Sequence, residues 1–353
     1  MTARVDEPRL QARGGMTVRV EAPARLHLGM LDVVGGRARR FGGLGVAVSR
    51  PRTVVEASAA ARLDAEGPDS ERALAVAKRC GFGTGAHVRV LEAIPPHAGL
   101  GSGTKLALAV TVALARLAGQ DLDPPAIARA AGRGARSAVG LWTFALGGLV
   151  VEGGVRPGAE RPAPLLARHA MPEEWRCVLA IPDAQPGLSG VAEEEAFARL
   201  RPPSELSALI AQLVLTSLLP ALAEHDLAEF GAALTRLQRL VGEAFAPVQG
   251  GVFHPQAAPL VAALLAGGAA GAGQSSWGPA VYGIVGSEAA GLDLVAHMER
   301  ELAGRGVVEL VRFENEGARI TTHPDTPADP QGSAPDPPGR PQGTAAEPPG
   351  RRA

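Results

Sequence analysis

Apolar positions along the chain fall into two rhythms. Alternation of apolar and polar residues over 17–22 predicts a half-buried strand, and 25–32 keeps an apolar rhythm into which Arg25, His27 and Asp32 are set. Segments 46–48, 53–57, 87–92, 146–154, 176–181, 281–285 and 307–313 read as further strands. Helical spacing marks 71–79, 205–223, 227–242, 255–265 and 287–303. Residues 106–118 are apolar on nearly every side, the texture of a helix buried in a core. Gly119 and Asp123-Pro124-Pro125 supply its stop signals and open a short second helix that closes at Gly132. A helix bearing Glu193-Glu194-Glu195 follows Gly187-Leu188-Ser189-Gly190.

At 353 residues the chain exceeds what one core usually supports, so two domains are expected, joined by the proline-rich, aperiodic segment 157–164. Residues 321–353 carry no aliphatic side chain larger than alanine and are dense in proline, so they are expected to be disordered. Apolar residues make up 46% of the chain, and a formal net charge of −1 gives no general attraction to nucleic acid or to an anionic membrane. Lys78 and Lys105 are the chain's lysines, so its many arginines reflect a compositional bias, and an arginine counts here inside a motif alone. Cys80 and Cys177 form no metal or disulfide pattern and suit a reducing cytoplasm. The charged residues 1–16 form an extension without the apolar core of a signal peptide, and the apolar stretch 106–115 is too short to span a bilayer. A soluble, cytoplasmic protein is expected.

Chemistry concentrates in Ile94-Pro95-Pro96-His97-Ala98-Gly99-Leu100-Gly101-Ser102-Gly103-Thr104-Lys105, between a predicted strand and the buried helix. Glycines there let backbone N–H groups converge, and a helix start adds unpaired donors and its positive dipole end, which together suit a phosphate. The spacing matches neither G-x-x-x-x-G-K-[ST] nor G-x-G-x-x-G. Three other stretches join it: the basic segment with Arg25, His27, Gly35-Gly36, Arg37, Arg39 and Arg40; Gly132-Arg133-Gly134-Ala135-Arg136-Ser137; and Gly271-Ala272-Gly273-Gln274-Ser275-Ser276-Trp277-Gly278-Pro279.

In that order these stretches resemble the superfamily of galactokinase, homoserine kinase, mevalonate kinase and phosphomevalonate kinase, over roughly residues 17–313. In detail Arg25-Leu26-His27-Leu28-Gly29-Met30-Leu31-Asp32, the Gly99–Thr104 loop, the Arg133/Arg136 segment, Pro182-Asp183 and the Gln274 segment are similar to the β-ribofuranosylaminobenzene 5′-phosphate synthases of methanopterin synthesis. The resemblance implies an α+β, two-domain GHMP kinase-like fold: an N-terminal domain over 17–160 of the ribosomal protein S5 domain 2-like type and a C-terminal α+β domain over 165–318. Many kinases of the superfamily carry S-G-x-D where Ser137-Ala138-Val139-Gly140 stands, so the aspartate that would assist an attacking hydroxyl is missing.

The resemblance implies a pentosyltransferase. The ring carbon of 4-aminobenzoate or 4-hydroxybenzoate that bears the carboxylate attacks C1 of phosphoribosyl pyrophosphate, pyrophosphate leaves, and CO2 departs. It implies pyrophosphate on Gly99, Gly101, Ser102, Gly103 and Thr104, with Mg²⁺ sharing the charge, and Lys105 either assisting or pointing into solvent. Arg25 and His27 would reach the ribose phosphate or the benzoate carboxylate, Arg133 and Arg136 would form a second anion site, and Gln274, Ser275 and Ser276 would close the cleft. Asp32 or Asp183 would hold Mg²⁺ or cap turns, Glu193 to Glu195 read as a solvated helix start, and Trp277 would either stack on the ring or fill core. His97, His169, His225 and His254 lack metal-ligand spacing. A homodimer is the expected assembly. The competing readings are an ATP-dependent kinase of the same superfamily and a non-catalytic phosphometabolite-binding regulator.

Overall fold

The computed structural model describes residues 15–33, 39–82, 85–184 and 190–324. Gly35-Gly36, Arg37, Gly187 to Ser189, the extension up to residue 14 and the tail from 325 lie outside the described residues.

Two long antiparallel strands form the spine, β1 (Met16–Asp32) and β2 (Phe41–Ala59). The strand expected over 17–22 therefore runs on through Arg25, His27 and Asp32, and those expected at 46–48 and 53–57 are one. Proline does not end either strand, because Pro23 and Pro51 both fall at the irregularity where the register jumps between Pro23↔Arg52 and Ala24↔Val48.

β3 (Asp64–Glu66), α1 (Ser70–Cys80) and β4 (Ala86–Glu92) follow, then α2 (Ser102–Leu117) and α3 (Pro124–Ala130), whose cap Asp123 accepts from the Ala126 amide at 2.7 Å. α4 (Val139–Leu146) has no counterpart in the sequence reading, since Val-Gly-Leu-Trp-Thr-Phe-Ala-Leu is apolar on nearly every side and shows no helical stripe. β5 (Leu149–Glu152) pairs with β2, and β6 (Leu165–His169), past the expected linker, pairs back onto β5.

The second half contains β7 (Arg176–Pro182), α5 (Gly190–Arg199), α6 (Leu206–Leu213), a π-helical turn at Val214–Leu218, α7 (Leu219–Ala223), α8 (Leu227–Gln249) and α9 (Ala258–Ala266). It closes with β8 (Gly271–Gln274), β9 (Val281–Val285), α10 (Glu288–Leu302), β10 (Gly306–Arg312) and β11 (Arg319–Pro324). Its sheet runs β10-β7-β9-β8, antiparallel throughout, whereas β11 returns to pair with β1. Residues 321–324, expected in a disordered tail, are thus part of the first sheet. Main-chain pairing with Met16–Arg19 holds them, which needs no large side chain.

α2 is buried almost all round, covered by β1 and β2 below and by α1, α3 and α4 at its sides. The far half of β1 (Leu26, Leu28, Met30) enters a different core, shared with Leu213, Leu218, Phe230, Leu234 and Leu237 of the second half. One strand therefore serves both cores, and its middle, at Arg25 and His27, lies where the halves meet. One helical run, Leu206–Ala223, is long and apolar enough to cross a membrane by length and composition. Here Leu206, Ile210, Leu213 and Leu218 set one face of it into the shared core.

Candidate active site

The loop ahead of α2 is wound by two left-handed glycines, Gly99 (φ 87°) and Gly101 (φ 82°). A Cβ at Gly99 would stand 2.1 Å from the Ser275 carbonyl oxygen, so the late loop can lie against it only because that atom is missing. The Gly101 carbonyl accepts from the Thr104 and Lys105 amides, both at 3.0 Å, so the first-turn donors left for an anion are those of Ser102 and Gly103.

A cleft of about 520 Å³ opens over this turn. Arginines from three elements surround it: Arg25 from β1, Arg72 from α1, and Arg133 and Arg136 from the segment after α3. A Cβ on Gly103 would meet the Arg72 guanidinium at 2.5 Å and that of Arg133 at 3.5 Å, which places both over the loop. Burial first, and then Arg79, Arg72 and Arg136, push the Arg133 guanidinium below the usual arginine range. Cations crowded in this way are poised for an anion. Arg72 pairs with Asp69 at 3.2 Å and Arg136 with Glu193 at 3.0 Å.

Beside the cleft lies a smaller cavity of about 120 Å³, with Phe41, Phe197, Phe245 and Trp277 in its wall. Their ring centroids are separated by 5.4 Å (Phe41–Phe197), 5.5 Å (Phe197–Trp277) and 4.6 Å (Phe245–Trp277). Arg25, Arg136, Ser137, Glu193, Ser276 and Trp277 line both spaces and form the mouth between them. An engineered cavity of about 150 Å³ takes up benzene, so this pocket is of single-ring size.

Arg25 donates to the Gly99 carbonyl at 2.6 Å, and burial brings its guanidinium down to about 10. His27 lines the aromatic pocket, and burial, reinforced by Arg25, pushes its imidazole down to about 3. The ring is therefore neutral, and it faces the aromatic pocket, away from the phosphate cleft.

Several other expected site residues serve as struts. The Ser275 hydroxyl, fully buried, donates to the Gly99 carbonyl at 2.7 Å and accepts from the His27 amide at 3.0 Å. Gln274 accepts from the His254 amide at 2.8 Å and donates to the Ser276 carbonyl at 2.9 Å, so its side chain shapes the loop. Ser276 faces both spaces. Lys105 neither lines the cleft nor meets solvent. Fully buried, it donates to the Thr143 hydroxyl at 3.0 Å with its ammonium 5.9 Å from the centre of the Phe144 ring, and burial holds it well below the usual lysine range.

Asp32 and Asp183 line neither space, and the Asp32 carboxylate accepts from the Ser207 hydroxyl at 2.7 Å. The carboxylates at the cleft are Glu193 and Glu194, which helical position alone had marked as solvated. Among the described residues no group of three or more His, Cys, Asp or Glu could enclose a metal by itself. Arg72 and Phe245 went unmarked because each comes from an element remote in sequence from the motifs, and Phe41 and Phe197, close to Arg40 and Glu195, because an apolar ring beside a motif reads first as core. Gly140, where kinases carry the aspartate, faces the cleft, and a Cβ there would lie 2.9 Å from Thr104 Cγ2. A side chain at this position would displace Thr104.

The GHMP kinases N terminal domain family matches residues 70–147 and the GHMP kinases C terminal family matches 218–303. The chain is 36% identical over 292 residues to a protein from Archaeoglobus fulgidus named beta-ribofuranosylphenol 5'-phosphate synthase, covering 78% of this chain and 90% of that one. It is 29% identical over 325 residues to a protein of the same name from Methanothermobacter thermautotrophicus, covering 85% and 97%. Homoserine kinase from Cytophaga hutchinsonii superposes with a TM-score of 0.63 at 16% identity, covering 91% of this chain and 99% of that one. Mevalonate diphosphate decarboxylase from Staphylococcus aureus gives a TM-score of 0.61 at 13% identity, covering 87% and 98%. These two show the expected two-part α+β fold and nothing of the chemistry.

Proposed function

The chain belongs to the beta-ribofuranosylphenol 5'-phosphate synthase family, and on that footing we propose that it joins a para-substituted benzoate to phosphoribosyl pyrophosphate, releasing CO2 and pyrophosphate and leaving a C-riboside phosphate. One observation carries the geometry: an arginine-lined phosphate cleft and a single-ring aromatic pocket share a mouth at Arg25, Arg136, Ser276 and Trp277. The phosphate-bearing substrate belongs in the first space and the ring in the second. The relatives are named for a phenol, which makes 4-hydroxybenzoate the first acceptor to test and 4-aminobenzoate the second.

The protein's own groups do electrostatic and positioning work. Ser102 and Gly103 amides with Arg72 and Arg133 hold the leaving pyrophosphate, and the cost of crowding these cations is met when the anion arrives. Arg25 and Arg136 orient the ring's carboxylate at the mouth. Loss of CO2 restores aromaticity, so no base is needed at the attacked carbon. Mg²⁺ suits a site with one or two carboxylates completed by substrate phosphates. Glu193 and Glu194 are the residues that would hold it, and it would supply neutralisation of the charge that develops on pyrophosphate.

Carboxyl-labelled 4-hydroxybenzoate and 4-aminobenzoate, each supplied with phosphoribosyl pyrophosphate, should release labelled CO2 and pyrophosphate in equal amounts. ATP consumption against an alcohol without CO2 release would overturn the reading in favour of a kinase, a reading that the glycine at position 140 disfavours. Binding without either chemistry would favour the regulator.

A further inference from the structure

The ring pocket has few polar atoms free to meet a ligand. Gln238 donates to the Leu28 carbonyl and accepts from the Gln274 amide at 2.9 Å, and both ends of Gln274 are engaged as described. Gln249 donates to the Val252 carbonyl at 2.9 Å and keeps one free acceptor. His27 has no hydrogen-bond partner at either ring nitrogen among the described residues, although its backbone amide is taken by Ser275.

Position separates these two candidates. Arg25 lines both spaces, whereas His27 lines the ring pocket alone. They are two residues apart on the same face of β1. Side chains so spaced stand about 7 Å apart along a strand, close to the length of a benzoate from its carboxylate to its para substituent. A ring with its carboxylate at the mouth beside Arg25 therefore carries its para group to His27.

We propose, resting on the function above, that His27 reads the para substituent of the acceptor ring and accepts a hydrogen bond from it during the attack. As the ring carbon forms its bond to ribose C1, the C1–O bond to pyrophosphate breaks and its electron pair leaves with pyrophosphate. A lone pair of the para oxygen moves into the ring and makes it a protonated dienone, whose O–H donates to the His27 ring nitrogen. The bond to the carboxylate then breaks, CO2 leaves, and the pair returns to the ring, which is left a phenol with its proton in place. No charge beyond that of the substrates is created or lost. A para N–H follows the same course.

The test combines calorimetric binding of 4-hydroxybenzoate and of unsubstituted benzoate with labelled CO2 release, on wild type, His27→Phe and His27→Gln. Wild type should prefer the hydroxylated acid by about tenfold, as one well-placed hydrogen bond allows. H27F should lose that preference and about tenfold in kcat. H27Q, whose amide oxygen can accept a hydrogen bond in place of the imidazole, should keep part of both. Thermal melts of both variants establish that they fold. An H27F protein that retains preference and kcat overturns the proposal, as does loss of the preference on Gln249→Leu in place of H27F. A wild type that discriminates in binding but releases no CO2 defeats the function and leaves the recognition by His27 standing.

Discussion

Ser275 and Gly99, 176 positions apart, are joined by a 2.7 Å hydrogen bond that fixes the late loop against the phosphate loop. The same hydroxyl accepts from the His27 amide, so one small side chain ties together β1, the first-half loop and the second-half loop. Ser275→Ala removes both bonds and leaves a buried N–H without its acceptor. The cost expected is about 1–3 kcal/mol in denaturant unfolding, with weaker phosphoribosyl pyrophosphate binding by calorimetry. Wild-type values for both would show that Ser275 is no strut.

The anion loop and its companions were legible because glycine spacing, unlike an apolar run, has few structural meanings. Strand lengths were less so, since Pro23 and Pro51 look like terminators and become irregularities only when two strands are seen to share them. α4 was hidden because a helix covered on nearly all sides shows no period. Of the ring pocket's aromatic wall Trp277 alone was marked: Phe41, Phe197, Phe245 and Trp277 come from β2, α5, α8 and the turn after β8, and only tertiary packing brings them together. Lys105 shows the opposite failure, in which a motif-adjacent residue of the right chemistry points into the core.

Lys105 tests that last point. Its ammonium is buried with a hydroxyl as its hydrogen-bond partner, so Lys105→Met should stabilise the protein by about 1–2 kcal/mol near neutral pH. The folded-state value lies below the unfolded one, so the wild type's deficit should fade as pH rises towards about 10.4. Affinity for phosphoribosyl pyrophosphate should stay within about twofold, whereas a phosphate-binding lysine would cost about tenfold or more.

Gly140→Asp restores the residue type many kinases carry there, and it should not restore kinase chemistry. The new Cβ would meet Thr104 Cγ2 at 2.9 Å, displacing a side chain of the phosphate loop. Weaker phosphoribosyl pyrophosphate binding and no ATP turnover against an alcohol are expected in coupled assays. Measurable phosphorylation by G140D would mean that the cleft tolerates the kinase arrangement.

Glu152 carries a pH signature into the same region. Fully buried at the end of β5, it accepts from the Gly154 amide at 2.7 Å and the Ala138 amide at 3.3 Å, and so pins the turn that carries Arg136 and Ser137 to the cleft. Burial outweighs these bonds and those to Ser137 and raises the carboxyl to about 7. A folded value above the unfolded one means that the stability is complete below about pH 4.3 and is lost as pH rises through 7, a swing of about 3 kcal/mol. Glu152→Gln has no ionisation to oppose, so its stability relative to wild type should climb by that order between pH 4.3 and 8 in unfolding titrations. Parallel curves for the two proteins would mean that Glu152 is ionised throughout, held by its two amides.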